Sequence, residues 1–106
     1  MRGEALKGHL DLLLLAVLDR GAAHGYAVVE RLREQSGGAF DLPEGTIYPA
    51  LHRLEADGLL ASRWSEHDGR RRRTYHLTAR GRTAFARRRE DWRHFIRSVA
   101  LVVEPA

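Results

Sequence analysis

Residues 59–77 read LLASRWSEHDGRRRRTYHL, and this stretch decides the fold. Apolar and polar side chains alternate on both sides of Asp68-Gly69, and an Asp-Gly pair between two such runs is a strong signal for a β-hairpin. We therefore expect strands over 59–66 and 72–77, joined by a tight turn. Two aromatic residues of the hairpin are expected to lie in the core: Trp64 and Tyr75.

Four consecutive arginines, Arg70 to Arg73, follow the turn. Their charges repel one another, and a polyanion would offset this cost, because guanidinium groups fork onto phosphate oxygens. We expect Arg70, Arg71 and Arg72 to contact the backbone or minor groove of a nucleic acid. Arg73 shares a strand face with Tyr75, which predicts that it packs inward or pairs with an acid.

Three amphipathic helices precede the hairpin and one follows it. In each of them apolar residues recur at the spacing of one helix face. Three of the predicted helices span 6–19, 24–35 and 79–103, with Thr78 as the cap of the last one. The remaining helix, third along the chain, is opened by residues 41–46 and reaches about residue 57. The leucines of the first helix occupy so many positions that we expect it to be buried from more than one side. The inward face of the second helix comprises Tyr26, Val28, Val29 and Leu32.

The third helix contains Pro49, which lacks an amide hydrogen and clashes with a preceding helical turn. If Thr46 is the N-cap, Pro49 lies in the first turn, where amides have no partner within the helix. The apolar face of this helix comprises Ile47, Ala50, Leu51 and Leu54. The opposite face comprises Gly45, Tyr48, Pro49, His52 and Ala56, flanked by Thr46 and Arg53.

Three helices, a hairpin and a long helix form the order of a winged helix-turn-helix, a mainly α fold with a small β-hairpin. In that arrangement the third helix enters the major groove of DNA, and the hairpin, or wing, reaches the adjacent backbone or minor groove. We expect residues 1–78 to form the DNA-binding part and residues 79–106 to form a C-terminal dimerisation helix. Together they would make one compact unit.

The charge is distributed unevenly along the chain. Residues 70–97 contain eleven arginines and two acids, a net charge of +9, whereas residues 1–69 contain seven basic residues and eleven acids, a net charge of −4. An acidic front half and a strongly basic back half favour oriented binding to a polyanion. The alternative is a solvated arginine-rich helix beside a solvated loop, and we favour nucleic acid.

Other features exclude several classes of protein and site. The chain has no cysteine, which excludes disulfides and thiolate metal sites and suits the cytoplasm. Its six histidines are scattered, so we expect no metal site, and no motif predicts a cofactor. The apolar run 10–18 is too short to span a bilayer, so we expect no membrane association.

Several stretches resemble PadR-type transcriptional regulators. These are GTIYPALHRLE at 45–55, DGLL at 57–60, HGY at 24–26, and RRRTYHLT at 71–78 followed by Gly81. The resemblance covers about residues 9–97. It implies a homodimeric regulator, usually a repressor, that binds inverted-repeat operators, with the fourth helix making the dimer. The short chain resembles the branch that lacks an extra C-terminal helical domain.

Nine residues are candidate contacts to double-stranded DNA: Tyr26, Thr46, Tyr48, Pro49, His52, Arg53, Arg70, Arg71 and Arg72. A hydroxyl of Tyr48 suits a phosphate, and His52 and Arg53 suit base edges or phosphates. The alternative for Tyr48 is a core aromatic. The alternative for Arg53 is a salt bridge with Glu55 or Asp57.

The fourth helix carries a heptad-like apolar stripe: Phe85, Trp92, Ile96, Val99 and Val103. Such a stripe needs a partner, and a second copy of the chain is the simplest one. Packing against the first helix of the same chain is the alternative, and both are expected to occur. In some PadR members flat aromatic or amphipathic compounds bind near the dimer interface, so Trp92 is a candidate residue for a small aromatic or phenolic effector as well as for plain interface packing.

Two rival functions compete with a DNA-binding repressor. A winged helix can serve as a protein–protein interaction module, but a protein partner would not need the charge of residues 70–97. An enzyme is not expected, because no nucleophile–base set, phosphate loop or metal set is visible. RNA is a weaker variant of nucleic-acid binding, because no aromatic stacking platform is visible.

Overall fold

The computed structural model describes Leu6 and residues 8–105, without the side chain of His67. Its helices and strands follow the order α1, β1, α2, α3, β2, β3 and α4. Their bounds are Leu10–Asp19 for α1, Ala23–His24 for β1, Gly25–Gln35 for α2, Glu44–Ala56 for α3, Leu60–His67 for β2, Arg70–Leu77 for β3 and Ala79–Val103 for α4. This order confirms the predicted winged helix-turn-helix.

Helix α1 lies at the centre of the packing, as its leucine content predicts. Leu14 and Leu15 are fully buried on different sides of the helix, and Leu12 and Leu13 pack against the core from its margin. The helix was predicted from residue 6. Residue 7 lies outside the described residues, and the helix that the structure describes begins at Leu10.

Helix α3 buries the predicted apolar face, but it begins earlier than predicted. Its N-cap is Pro43, whose carbonyl accepts the amides of Thr46 at 3.0 Å and Ile47 at 3.2 Å. Thr46 is therefore inside the helix, and its predicted role as N-cap was wrong. Pro49 lies beyond the first turn and removes one helical hydrogen bond, from the carbonyl of Gly45, at an exposed position.

The sheet has a third strand that the sequence did not predict. β1 pairs antiparallel with β3, which gives the strand order β1–β3–β2. A two-residue strand is too short to produce a visible alternation, so only the hairpin was foreseen. The hairpin also extends further than expected, because Arg70 and Arg71 pair with β2 and only Asp68 and Gly69 form the turn. Both turn residues have positive φ, 54° and 74°, as the tight hairpin turn requires.

Helix α4 begins at the predicted cap. The Thr78 hydroxyl accepts the amide of Gly81 at 3.0 Å and donates to the carbonyl of Gly58 at 2.7 Å. Gly81 packs so closely on the Leu59 carbonyl oxygen that an added Cβ would overlap it. We call the β2–β3 hairpin the wing. Because Gly81 has no side chain, α4 can begin in direct contact with the chain at the base of the wing.

We expect Gly81→Ala to destabilise the protein by roughly 1–3 kcal/mol, because the overlap is with backbone that is itself held by the Thr78 amide. Gly45→Ala is the matched control, since an added Cβ there meets nothing within 4 Å. The control should leave stability equal or slightly raised, because alanine favours helix. Thermal melting of both variants measures the difference, and equal melting temperatures would contradict this account of the α4 start.

Candidate nucleic-acid interface

The exposed side of α3 and the wing face the same cavity. This α3–wing cavity has a volume of about 460 Å³. Its lining comprises His24, Gly25, Tyr48, His52, Trp64, Arg70, Arg71, Arg72, Arg73 and Tyr75. The structure therefore brings together five of the nine predicted DNA contacts, namely Tyr48, His52, Arg70, Arg71 and Arg72, at one concave and strongly basic place.

Tyr48 is half-buried because its ring lies over Gly25, the first residue of α2. A Cβ at Gly25 would overlap the Tyr48 ring and lie 2.8 Å from its hydroxyl oxygen. Burial raises the pKa of Tyr48, with a further rise from the Glu44 carboxylate and an opposing effect of Arg72. The phenol therefore keeps its proton at neutral pH and can donate a hydrogen bond from the cavity.

The wing arginines divide into free and bound groups. Arg73 donates from Nε to the Ser62 hydroxyl at 2.7 Å, and its guanidinium lies 3.7 Å from the Glu55 carboxylate. This confirms the expectation that Arg73 pairs with an acid. Among the described residues, no carboxylate pairs with Arg70, Arg71 or Arg72.

Arg72 carries an unsatisfied donor. Its Nε is buried and has no hydrogen-bond partner within the described part of the chain. A buried donor without a partner costs free energy, and an anionic oxygen would remove that cost. The wing thus presents three cations that do not pair with any carboxylate in the described part of the chain, and one of them, Arg72, has a buried donor without an acceptor there.

Trp64 does not lie in the core, and that prediction was wrong. The side chain is 56% exposed, and the guanidinium groups of Arg71 and Arg73 lie 5.0 and 5.7 Å from the ring centroid. The physical reason is the register: Trp64 pairs with Arg73, nearer the turn than the buried Leu60–Leu77 pair, and there guanidinium groups rather than apolar side chains lie beside its ring. Tyr75 is buried, as predicted.

The remaining predicted contacts lie outside the α3–wing cavity. Thr46 and Pro49 are exposed on α3. Tyr26 was predicted to face inward, but it is 46% exposed, because it lies off the side of α2 that Gly25, Val28 and Leu32 bury. Arg53 pairs with Asp11 of α1 rather than with the nearby acids that were considered. The Glu55 carboxylate instead contacts two residues of the wing, the Ser62 hydroxyl and the Arg73 guanidinium.

The apolar stripe of α4 divides into two parts. Phe85 is only 7% exposed and belongs to the core of its own chain. Trp92, Ile96 and Val99 are 43%, 43% and 38% exposed, and the last turn adds three more exposed apolar residues. Beside this stripe, α1 and α4 enclose an apolar groove of about 550 Å³, lined in part by Leu12, Leu13, Phe40, Phe85, Trp92 and Ile96.

Two kinds of feature are absent from Leu6 and residues 8–105. No group of three or more His, Asp or Glu side chains is arranged to hold a metal ion. None of the described helices is both long enough and apolar enough to cross a membrane.

Three residues of this surface were missed by sequence reasoning. Trp64 could have been found by pairing outward from the Asp68-Gly69 turn, which places it opposite Arg73. Gly25 carries no local signal, because its contact with Tyr48 joins two separate helices. Asp11 lies within the apolar run 10–18 and carries no local signal, because its contact with α3 spans 42 residues of sequence.

Residues 14–87 match the model of the family described as the transcriptional regulator PadR-like family. The transcriptional regulator Rv3488 of Mycobacterium tuberculosis is 45% identical over 67 residues, which are 63% of this chain and 63% of that protein. This chain thus covers less than two thirds of that relative. The matches are to transcriptional regulators and confirm the prediction that the chain is not an enzyme.

Two solved structures are similar over most of the chain. A PadR family transcriptional regulator from Eggerthella lenta is 31% identical, with a TM-score of 0.82 over 97% of this chain and 88% of that one. PadR of Bacillus subtilis, solved in complex with operator DNA, is 25% identical, with a TM-score of 0.66 over 79% of this chain and 46% of that one. With its fold, its motifs and the match over residues 14–87, the chain belongs to the PadR-like family of transcriptional regulators.

Proposed function

We propose that this regulator binds double-stranded operator DNA in the cytoplasm as a homodimer and acts as a repressor. The observation that carries the proposal is the α3–wing cavity, where Arg70, Arg71 and Arg72 remain without acidic partners among the described residues. The similar Bacillus subtilis protein in complex with operator DNA supports the same partner. Phosphate oxygens would provide the negatively charged partners that these arginines do not find among the described residues.

The two parts of the surface have different tasks in this proposal. Helix α3 enters the major groove with its exposed face, where His52 and Pro49 meet base edges and Tyr48 donates its hydroxyl to a phosphate. The wing lies along the neighbouring backbone or minor groove, where its arginines supply affinity that does not depend on sequence. Trp64 holds Arg71 by a cation–π contact and so keeps that guanidinium close to the wing surface.

The dimer follows from α4. Trp92, Ile96 and Val99 form an exposed apolar face on a helix that extends beyond the core, and a second copy would bury it. A two-fold axis through this face places two α3 helices on one side of the dimer. The two identical α3 helices then match the two halves of an inverted repeat.

A small aromatic or phenolic effector fits the same region. The apolar groove between α1 and α4 includes Trp92 and Phe85, and its volume of about 550 Å³ suits a small flat compound. A compound in this groove would shift α4 relative to α1. Because α4 sets the distance between the two α3 helices of the dimer, such a shift changes the fit to DNA.

We expect Arg70→Ala, Arg71→Ala and Arg72→Ala together to weaken binding to operator and unrelated DNA almost equally. Wild-type affinity should fall on the order of a thousandfold between low and near-physiological salt. If all three arginines of each subunit meet phosphates, the dimer variant loses about six contacts, and the slope of log affinity against log salt flattens by roughly five. Fluorescence anisotropy across a salt series measures the slope.

The matched control removes three arginines from α4: Arg80→Ala, Arg87→Ala and Arg88→Ala. These residues line a different surface, beside Asp57 and Leu59, so the slope should stay close to that of the wild type. A wing variant whose slope equals that of the wild type would show that the wing is not a backbone clamp.

We expect Tyr48→Phe and His52→Ala to reduce operator binding while the melting temperature stays nearly unchanged. Gly25→Ala should do the same through Tyr48, because the new methyl group displaces the ring. In a Tyr48→Ala background, Gly25→Ala should then have no further effect on binding. A large loss of stability with normal binding by the folded fraction would place Tyr48 in the core and defeat its role as a contact.

We expect Ile96→Glu to give folded monomers that lose specific binding, because burying an unpaired carboxylate at the interface is costly. Ser98→Glu is the matched control, since it adds the same charge on the opposite side of α4. Sedimentation gives the mass of each protein. A wild type that is monomeric at micromolar concentration would rule out the dimer.

The same proteins test the effector. With Trp64→Phe, Trp92 is the only tryptophan left, so its fluorescence reports on the groove alone. A flat aromatic compound that binds there should change this signal and weaken DNA binding together. If no compound in a panel of flat aromatic molecules changes either the Trp92 fluorescence or the DNA affinity, the effector is removed from the proposal.

A further inference from the structure

One ion pair joins α1 to α3, the helix that we propose enters the major groove. Arg53 Nη2 donates to Asp11 Oδ1 at 2.5 Å, and the two side chains are 54% and 31% exposed. Among the described residues, the Arg53 side chain makes no other hydrogen bond or ion pair. A single half-buried carboxylate therefore holds the guanidinium.

The opposite flank of α3 has a different character. The Glu55 carboxylate accepts from the Ser62 hydroxyl at 2.5 Å and lies 3.7 Å from Arg73, which itself donates to Ser62. Several groups support one another there, so the flank is fixed to the wing. The Asp11–Arg53 pair has no such support, and an isolated exposed ion pair contributes little free energy. A competing anion can therefore displace Asp11.

The chemistry of the competing anion is that of a DNA phosphate. Carboxylate and phosphate oxygens both accept charge-assisted hydrogen bonds from guanidinium. Asp11 thus occupies a donor that a phosphate would use. It also holds Arg53 at the α1 side of α3, whereas Tyr48, His52 and the wing arginines line the α3–wing cavity, to which Arg53 does not contribute.

We propose that Asp11 is an internal competitor for Arg53, so that DNA binds only at the cost of exchanging this carboxylate for a phosphate. The inference rests on the proposed DNA binding and deepens it by naming a residue that sets the affinity. Asp11 does not touch DNA in this account and acts only through Arg53. Because phosphate contacts carry no sequence information, the competition lowers affinity for every duplex by the same factor.

The test uses a duplex that carries a site selected from random DNA and a scrambled duplex of the same length. Asp11→Asn should bind both duplexes about two- to fivefold more tightly than the wild type, the range expected for an exposed ion pair. Asp11→Ser, a second variant without the carboxylate, should behave alike. Thermal melting confirms that both variants are folded. Unchanged or weaker binding of the folded variants would overturn the proposal, because Asp11 would then be neutral or a positioning residue for Arg53.

A double-mutant cycle separates competition for Arg53 from general repulsion between Asp11 and DNA. In an Arg53→Gln background, Asp11→Asn should change the affinity for either duplex by less than about 1.5-fold, since the carboxylate has no guanidinium left to hold. A gain that persists in this background would overturn the proposal in favour of simple repulsion. If the wild type binds the selected duplex while the cycle shows no coupling, only this inference fails. A wild type that binds no DNA would remove the proposed function together with it.

Discussion

Burial of the apolar face of α3 is the constraint on which the rest of the surface depends. Ile47, Leu51 and Leu54 are completely buried, and the described core contains no buried polar or charged residue. Each of these side chains contributes on the order of 1.5–3 kcal/mol when it leaves water, so rotation of the helix about its axis is prohibitive. The rest of the helix surface is therefore the exposed face. Its flank towards the wing is held by the contacts of Glu55 with Ser62 and Arg73, whereas its flank towards α1 carries only the exchangeable Asp11–Arg53 pair.

The sequence was sufficient for features that repeat or that lie close together along the chain. The apolar spacing of α3, the cap at Thr78 and the Asp68-Gly69 turn each follow from local chemistry and were predicted. Contacts between distant segments were not accessible, because nothing in a local window records them. The ring of Tyr48 on the backbone of Gly25 joins two helices, and β1 becomes a strand only by pairing with β3. The start of α3 was predicted wrongly for another reason. Pro49 was expected to need a place in the first turn, but its exposed position within the helix tolerates the loss of one hydrogen bond.

Charge and apolar surface are segregated along the molecule in a way that suits a regulator. The wing concentrates arginines that the described acids do not neutralise, while the far end of α4 exposes aromatic and aliphatic side chains. The described helix α4 connects the two, since it begins at the wing base and continues past the groove beside α1. In the proposed dimer, this helix converts an event in the groove into a change in the spacing of the DNA-reading helices.

Selection of bound duplexes from random DNA tests the central claim most directly, namely that two copies of the α3–wing surface read DNA together. The account predicts enrichment of an inverted repeat whose half-sites are centred about one helical turn, roughly 10–10.5 base pairs, or a multiple of it apart. Enrichment of a single asymmetric site, or of no sequence at all under conditions where the protein is folded, would contradict it.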